Sequence, residues 1–272
     1  MEESFACLEH VGFAVVGNHL GGGHSMSAAI SLKDLTVAYE RRAAVHHLNG
    51  CFEAGSLTAI VGPNGAGKST LIKAIAGTMK PAAGRVDRGN LATKTLGYLP
   101  QAAEIDRSFP LSVADTVAMG AWRSIGAFLG LTRDLARRTQ ESLQAVGLEG
   151  FESRSIGSLS SGQFQRVLFA RLLLQDAAVI LLDEPFTAID ARTTRDLLEL
   201  VRVWHGQGRT VIAVLHDIDQ VRQHFPQTLL MAREAIAWGA TADVLNVENL
   251  RKARNMAEFW SADAELCGVE TL

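Results

Sequence analysis

Cysteine is scarce in this 272-residue sequence. The chain has three, Cys7, Cys51 and Cys267, which is an odd number with no CxxC spacing. Disulfide-stapled domains and most structural zinc sites need cysteines in pairs at short, regular spacing. The sequence therefore excludes a disulfide framework and a cysteine-based metal site, and its cysteine usage suits a reducing compartment.

Long apolar runs are also missing. A membrane-spanning helix needs about 18 consecutive apolar residues. The best apolar stretch here, Ala177 to Leu182, is short and is followed at once by Asp183 and Glu184. A run of this length predicts a buried strand, so the sequence contains no candidate membrane span.

The chain has no excess of positive charge. Its formal net charge is -3 at pH 7, with 20% charged and 47% hydrophobic residues. This is the composition of an ordinary globular protein, and it offers no general basic surface to nucleic acid. The length allows one large domain or a core with a subdomain.

The first 25 residues lack the positive n-region of a signal peptide. They contain a triple glycine, Gly21 to Gly23, and end just before Met26. We expect residues 1–25 to be a flexible extension, with Met26 as an alternative start. Three histidines in this segment offer a metal site as a further alternative, although their spacing fits no compact site: His10, His19 and His24.

A glycine-rich run with the spelling GxxxxGK[ST] is the most informative feature that is present. It follows the apolar stretch Leu57 to Val61 and leads into a helix-prone segment, which is the context of a phosphate-binding loop. Its backbone amides and the helix N-terminus would hold phosphate oxygens, Lys68 would reach the β- and γ-phosphates, and Ser69 would bind Mg²⁺. The predicted ATP-binding residues here are Gly62, Pro63, Asn64, Gly65, Ala66, Gly67, Lys68, Ser69 and Thr70.

Two adjacent carboxylates follow the apolar run that ends at Leu182. In a P-loop NTPase, the first carboxylate holds Mg²⁺ and the second polarises the attacking water. Asp183 is therefore predicted to bind the metal and Glu184 to act on water. The carboxylates alone are a weak signal, since buried strands often end in Asp, but the upstream P-loop favours the functional interpretation.

Strands alternate with helices along most of the chain, which predicts an α/β fold with a mainly parallel sheet. The stretch from about 102 to 174 is nearly all helical and is predicted to be an insertion between strands. Ligands of parallel sheets lie at the carboxyl ends of the strands. We therefore expect one sheet edge to gather Gly62, Gln101, Asp183 and His216.

The segment Leu159 to Gln163 (LSSGQ) precedes a predicted buried helix from Gln163 to Leu174. The Ser160 hydroxyl and the backbone amides of Ser161 and Gly162 would form a second anion site at a helix N-terminus. The alternative is a simple N-cap, because Ser and Gly are favoured there in any case.

Together, these motifs resemble the ATPase subunits of ABC transporters in order and approximate spacing, over about Ile30 to Ala235. LSSGQ resembles the family signature, whose commonest form has Gly where this chain has Ser161. The resemblance implies a P-loop NTPase (RecA-like) core, N-terminal antiparallel β strands and a helical signature subdomain. It divides the chain into an extension (1–25), an ABC ATPase domain (26–240, with the helical subdomain at about 102–174) and a C-terminal tail (241–272).

The resemblance also implies roles for single residues. Tyr39 would stack on adenine, with a core tyrosine as the alternative. Gln101 would be the Q-loop residue near the metal and the reacting phosphate, and His216 the switch histidine beside the γ-phosphate. Asp190 would make a contact across a dimer, in which Ser160, Ser161, Gly162 and Gln163 of one chain close on the ATP held by Lys68 of the other.

The partners implied by the resemblance are a second copy of the chain, an integral membrane permease and, indirectly, a solute-binding protein, with no nucleic acid. The chain would be cytoplasmic and peripheral on the inner face of a bacterial membrane. The segment from Asp106 to Gly120 resembles the ATPases of zinc and manganese importers, so ATP, Mg²⁺ and a metal cargo are expected. Alternatives are an iron-complex or haem importer, an ABC ATPase outside transport, and an inactive nucleotide-binding regulator.

Overall fold

The computed structural model describes residues 29–39, 42–89, 96–122 and 132–262. The strands are β1 (Ile30–Tyr39), β2 (Arg42–Phe52), β3 (Leu57–Val61), β4 (Ala83–Asp87), β5 (Leu96–Leu99), β6 (Val179–Asp183), β7 (Thr210–Val214), β8 (Gln227–Ala232) and β9 (Glu234–Ala240). The α-helices are α1 (Lys68–Ala76), α2 (Val113–Ala118), α3 (Arg133–Ala145), α4 (Ser161–Gln175), α5 (Ala191–Gly206), α6 (Ile218–His224), α7 (Thr241–Val244) and α8 (Val247–Ala262). The predicted extension at 1–25, Met26 and the N-terminal histidines lie outside the described residues.

The larger sheet has the strand order β5-β6-β7-β3-β8-β9 within the described residues. Its strands run parallel from β5 to β8, and β9 pairs antiparallel with β8. Every residue of β3, β6 and β7 is buried, as expected for continuous apolar strands covered on both faces. The predicted α/β class with a mainly parallel sheet is confirmed.

The N-terminal strands form a separate antiparallel sheet with the order β2-β1-β4. In β1 the buried residues Ile30, Leu32, Leu35 and Val37 lie on the inner face. A register shift between Leu32 and Leu35 keeps both on that face, since an extra residue in a strand restores the alternation. The inner face packs with α1 and the large sheet in one apolar cluster, so this sheet forms one wall around the P-loop helix.

Helices dominate the chain between β5 and β6. Ser112 caps α2 in a reciprocal capping box with Asp115, and Thr132 caps α3 through the amide of Leu135. In both helices a hydroxyl before the first turn accepts from a backbone amide that has no partner within the helix. The stretch 102–174 was expected to be nearly all helical; in its described parts helices predominate, but 105–112 and 146–155 form no helix. The division into a subdomain stays a prediction.

The chain beyond β9 returns to the core. Helices α7 and α8 bury Val244, Leu245 and Ala253 in the larger apolar cluster. The segment predicted as a tail therefore packs as two helices over residues 241–262. Among the described ranges, none of the helices combines the length and the hydrophobicity needed to cross a bilayer.

Candidate nucleotide and metal site

The P-loop turns tightly between β3 and α1 because two of its glycines admit no side chain. A Cβ on Gly62 would lie 2.0 Å from the carbonyl oxygen of Met231, and one on Gly67 would lie 2.0 Å from that of Ala44. Gly67 also has a left-handed backbone with φ of 86° and forms the N-cap of α1. The loop is thus held between β8 and β2, with the N-terminal amides of α1 at its end.

Lys68 folds over the loop that precedes it. Its Nζ donates to the carbonyl oxygens of Gly62 at 2.8 Å and Pro63 at 2.9 Å. Burial lowers the pKa of this ammonium, and the charges of Glu184 and Asp183 oppose that shift. A buried cation is therefore fixed in the hollow of a loop built to hold anions.

Asp183, Ser69 and Gln101 meet beside the start of α1. The Ser69 hydroxyl donates to Oδ1 of Asp183 at 2.9 Å, and the side-chain amide of Gln101 lies 3.4 Å from the same hydroxyl. The sequence predicted that Asp183 would be the first residue after its strand, but it is the last residue of β6. Gly62, Gln101 and His216 follow their strands as predicted.

The environment of Asp183 fits a divalent metal ion. The side chain is fully buried, and burial raises its pKa to about 6, against the effect of the Ser69 hydrogen bond. Its Oδ2 is buried without a hydrogen-bond partner among the described residues. Mg²⁺ prefers hard oxygen ligands, so a hydroxyl and a carboxylate with a free oxygen match the chemistry of the ion.

Glu184 is held in a strained backbone conformation and paired with His216. Its φ is 50°, a left-handed value that is uncommon for a residue with a side chain. Oε1 of Glu184 lies 2.6 Å from Nε2 of His216, and the Thr187 hydroxyl lies 3.4 Å from Oε2. The residue predicted to act on water, Glu184, is therefore in direct contact with the residue predicted to lie beside the γ-phosphate, His216.

The LSSGQ segment begins α4, two residues earlier than predicted. Ser160 is the N-cap, and its hydroxyl accepts from the amide of Gln163 while the Gln163 side chain accepts from the amide of Ser160. This capping box places Ser161 and Gly162 in the first turn rather than before the helix. The S-x-x-Q spacing was the sequence signal for the earlier start.

Asp190 lies next to that first turn. It caps α5, accepting from the backbone amide of Thr193 at 2.9 Å and from its hydroxyl at 2.8 Å. The hydrogen bond from the backbone amide of Thr193 has the largest effect on the pKa of the Asp190 carboxyl, followed by the bond from its hydroxyl, and both lower it. A Cβ on Gly162 would be 3.3 Å from Oδ2 of Asp190, so LSSGQ and Asp190 form one surface of the chain.

Tyr39 ends β1 and is half-exposed at 48%. Its phenol interacts electrostatically with Lys73 on α1, which places it on the P-loop side of the antiparallel sheet. This exposure leaves the ring accessible to a ligand. Its predicted stacking role stays a prediction.

The predicted site residues fall into two groups within the chain. The first joins the P-loop with Asp183, Gln101 and the Glu184–His216 pair. The second joins LSSGQ with Asp190, and among the described residues Ser160 and Gln163 make no hydrogen bond to the P-loop. A cavity of about 520 Å³ lies between them and is lined by Gln101, Ser161 and Glu184.

Two charged residues near the site, Lys73 and Arg107, make contacts that were not predicted from the sequence. Lys73 of α1 pairs with Glu104, three residues after Gln101, at 2.6 Å. Arg107 donates to the carbonyl oxygens of Ile156 and Leu159 and lies over the ring of Phe164 at 4.7 Å. Nothing in the local sequence marks these charged residues, because their partners are far away in the chain.

The sequence of this chain is similar to those of known transport ATPases. The ABC transporter family model matches residues 45–187. The manganese transport system ATP-binding protein MntB of Halalkalibacterium halodurans is 38% identical over 246 residues, 88% of this chain and 97% of that protein. The zinc transport system ATP-binding protein TroB of Treponema pallidum is 37% identical over 229 residues, 83% of this chain and 86% of that protein.

A solved dimeric structure of the ATP-binding cassette MJ0796, bound to ADP and Pi in a post-hydrolysis state, has the same fold. It superposes with a TM-score of 0.69 at 27% identity and covers 78% of this chain and 98% of that one. The fold and the site define a P-loop ATPase. The chain belongs to the ABC transporter family and is an ATP-binding subunit, an ATPase coupled to transport.

Proposed function

We propose that this chain hydrolyses ATP to drive a separate membrane permease of a bacterial importer for a metal ion such as manganese or zinc. The metal cargo is supported by the similarity to MntB and TroB, which extends over most of this chain and most of each relative. An ATPase subunit makes no contact with the cargo in this scheme. The chemistry of its site therefore supports ATP hydrolysis, and the identity of the cargo is inferred from the similarity to these relatives alone.

We place the phosphates of ATP on the backbone amides of the P-loop and the start of α1, with residues Gly62, Pro63, Asn64, Gly65, Ala66, Gly67, Lys68, Ser69 and Thr70 as the binding set. Lys68 contributes a fixed, buried positive charge to this site. Tyr39, exposed on the same side, is proposed to stack on the adenine.

Mg²⁺ is proposed to bind at Ser69, Asp183 and Gln101, where it would neutralise phosphate charge. The pairing of the Ser69 hydroxyl with Asp183 already brings two oxygen ligands together. The buried, unpartnered Oδ2 of Asp183 is the acceptor that the hydrated ion would satisfy.

Glu184 is proposed as the general base, which accepts a proton from the attacking water. His216 holds that carboxylate through the 2.6 Å contact and orients the water and the γ-phosphate. Because Glu184 is in contact with His216 in this chain, movement of either residue changes the position of the base.

A homodimer completes the site in this proposal. Ser160, Ser161, Gly162 and Gln163 of one subunit would contact the nucleotide bound by the other, with Asp190 beside the same contact. The position of Gly162 next to Asp190 supports a joint role of the two segments. Donors from two subunits around one phosphate group form a preorganised electrostatic site.

The permease is proposed to dock on the helical segment after Gln101. Three large apolar side chains of this segment are exposed, Phe109 at 61%, Met119 at 40% and Trp122 at 58%, and exposed apolar groups mark contact surfaces. The cavity beside Gln101 adjoins this region. The chain would then lie on the cytoplasmic face of the membrane, with a solute-binding protein acting on the other side.

The domain division that we propose comprises an extension at 1–25, an ATPase domain at 26–240 with its helical subdomain at about 102–174, and a C-terminal segment at 241–272. The strand β9 ends at Ala240, which supports the last boundary. The packing of α7 and α8 ties this segment to the ATPase domain.

Growth under metal scarcity tests the cargo. A gene deletion should grow poorly only when manganese or zinc is scarce, and uptake of the radiolabelled ion should fall. Wild-type protein should restore both, and Lys68→Ala, made at equal abundance, should restore neither. Rescue by haem or a ferric siderophore, but by neither divalent ion, would overturn the metal cargo and leave the ATPase assignment intact.

A further inference from the structure

Tyr98 places a hydroxyl group close to the candidate metal site. It lies in β5, three residues before Gln101, and packs against the apolar cluster that includes residues of α1. Its hydroxyl oxygen is buried and has no hydrogen-bond partner among the described residues. A buried polar group of this kind is rare in folded proteins and calls for a physical explanation.

Asp183 presents the complementary group on the next strand. Tyr98 pairs with Leu181 in the parallel register of β5 and β6, and Asp183 is two residues further along, on the same face as Leu181. Two residues of a strand span roughly 6.6 Å, a distance that a tyrosine leaning along its strand can largely cover. Oδ2 of Asp183 is the second buried oxygen without a partner in this region.

The two groups have matched hydrogen-bonding properties. A phenol keeps its proton near neutral pH and remains a donor, whereas an ionised carboxylate only accepts. Tyr98 also interacts electrostatically with Asp183. The neighbouring ammonium groups have other partners, since Lys68 donates to Gly62 and Pro63 and Lys73 to Glu104.

We propose that Tyr98 is a positioning residue for the magnesium site, and that its hydroxyl donates to Oδ2 of Asp183 when the ion is bound. Oδ2 has two lone pairs, so it can accept from Tyr98 and also face the hydrated ion. This role rests on the proposed function of Asp183 as a metal ligand. Ser69 holds one oxygen of the carboxylate and Tyr98 holds the other, so the plane of the carboxylate is fixed from both sides. Outer partners of this kind orient a ligand for the metal.

The test is magnesium binding by Tyr98→Phe, measured by calorimetric titration of Mg²⁺ into the full chain saturated with ADP. The substitution keeps the ring in the apolar cluster and removes only the hydroxyl. We expect the affinity for Mg²⁺ to fall about tenfold, while the affinity for ADP in EDTA stays within about twofold of wild type.

Thr139→Val is the matched control. Thr139 on α3 carries another buried hydroxyl without a partner among the described residues, far from the P-loop in the chain. Its loss should leave both affinities unchanged. A second comparison is Glu104→Gln, because Glu104 also interacts electrostatically with Tyr98.

The outcomes separate the two proposals. Unchanged magnesium affinity in Tyr98→Phe overturns the positioning role, and so does an equal loss in Glu104→Gln, since the hydroxyl would then serve the Lys73–Glu104 pair. A wild-type chain whose ADP binding shows no dependence on Mg²⁺ would overturn the metal site at Asp183 itself, and the role of Tyr98 with it.

Discussion

Nε2 of His216 lies 2.6 Å from Oε1 of Glu184. The two residues follow different strands, β7 and β6, which are neighbours in the sheet. Among the described residues, the Thr187 hydroxyl at 3.4 Å is the hydrogen-bond partner of Oε2 of Glu184. One carboxylate oxygen is thus held by the histidine, and the other is available for water.

Glu184→Gln should lower kcat at least about a hundredfold while leaving the Kd for ATP near the wild-type value. The amide keeps the shape of the side chain but cannot accept the proton of the attacking water. Steady-state ATPase assays and nucleotide titrations measure the two quantities. Hydrolysis near the wild-type rate would show that Glu184 is not the base.

Lys68→Ala should weaken ATP binding by about 2 kcal/mol, or roughly thirtyfold, because a charged donor at the phosphate site is lost. Equilibrium binding with a fluorescent ATP analogue gives the Kd. Lys80→Ala is the control, since Lys80 is an exposed lysine after the end of α1. If both variants bind ATP like the wild type, Lys68 does not contact the phosphates.

Asp183→Asn should raise the melting temperature of the protein in EDTA at pH 8. The native pKa of Asp183 is about 6, above the usual value of about 3.9 in an unfolded chain. The native state therefore binds more protons between these values, and the free energy of unfolding falls as pH rises through this window.

Above pH 6 Asp183 is ionised in the native state, and its burial then destabilises the fold to the full extent. We expect Asp183→Asn to raise the free energy of unfolding there by about 1 to 3 kcal/mol. The gain should vanish near pH 4, where the wild-type carboxyl is protonated. Thermal melts at both pH values measure it. Equal stabilisation at pH 4 and pH 8 would mean that the ionisation of Asp183 is not the cause.

Glu184→Gln should form a stable dimer when ATP and Mg²⁺ are present, because hydrolysis can no longer remove the ligand that both subunits share. Sedimentation velocity detects the shift from monomer to dimer. Adding Gly162→Asp to this variant should restore the monomer without changing the ATP affinity of the single subunit, since the new carboxylate would lie beside Asp190 and, in the proposed dimer, against the phosphates bound by the other subunit.

Persistent monomer of Glu184→Gln at saturating ATP, in the absence and in the presence of the permease, would count against the proposed dimer.

A chain starting at Met26 should match the full chain in melting temperature and ATPase rate. Residues 1–25 lack periodic hydrophobicity and contain a triple glycine, so they are expected to contribute little to the core. Differential scanning calorimetry and a coupled ATPase assay compare the two chains. A clear loss of either property would show that the extension packs on the ATPase domain.

The sequence by itself determined the features that depend on short stretches of chain. The P-loop between β3 and α1 and the carboxylates at the end of β6 are local patterns with local physical causes. The alternation of strands and helices was enough to predict a parallel sheet with one ligand-binding edge. Helix starts were less certain, as α4 shows, because the capping box at Ser160 competes with the apolar pattern that begins later.

Only the tertiary structure decided which distant residues meet. Three contacts join residues from separate elements: the pairing of Lys73 with Glu104, the hydrogen bonds from Arg107 to the carbonyl oxygens of Ile156 and Leu159, and the electrostatic interaction of Tyr98 with Asp183. The raised pKa of Asp183 likewise depends on burial from all sides. Such contacts follow from how helices and strands pack, and since many residue types satisfy a local pattern equally well, the sequence carries no signal for them until the fold brings them together.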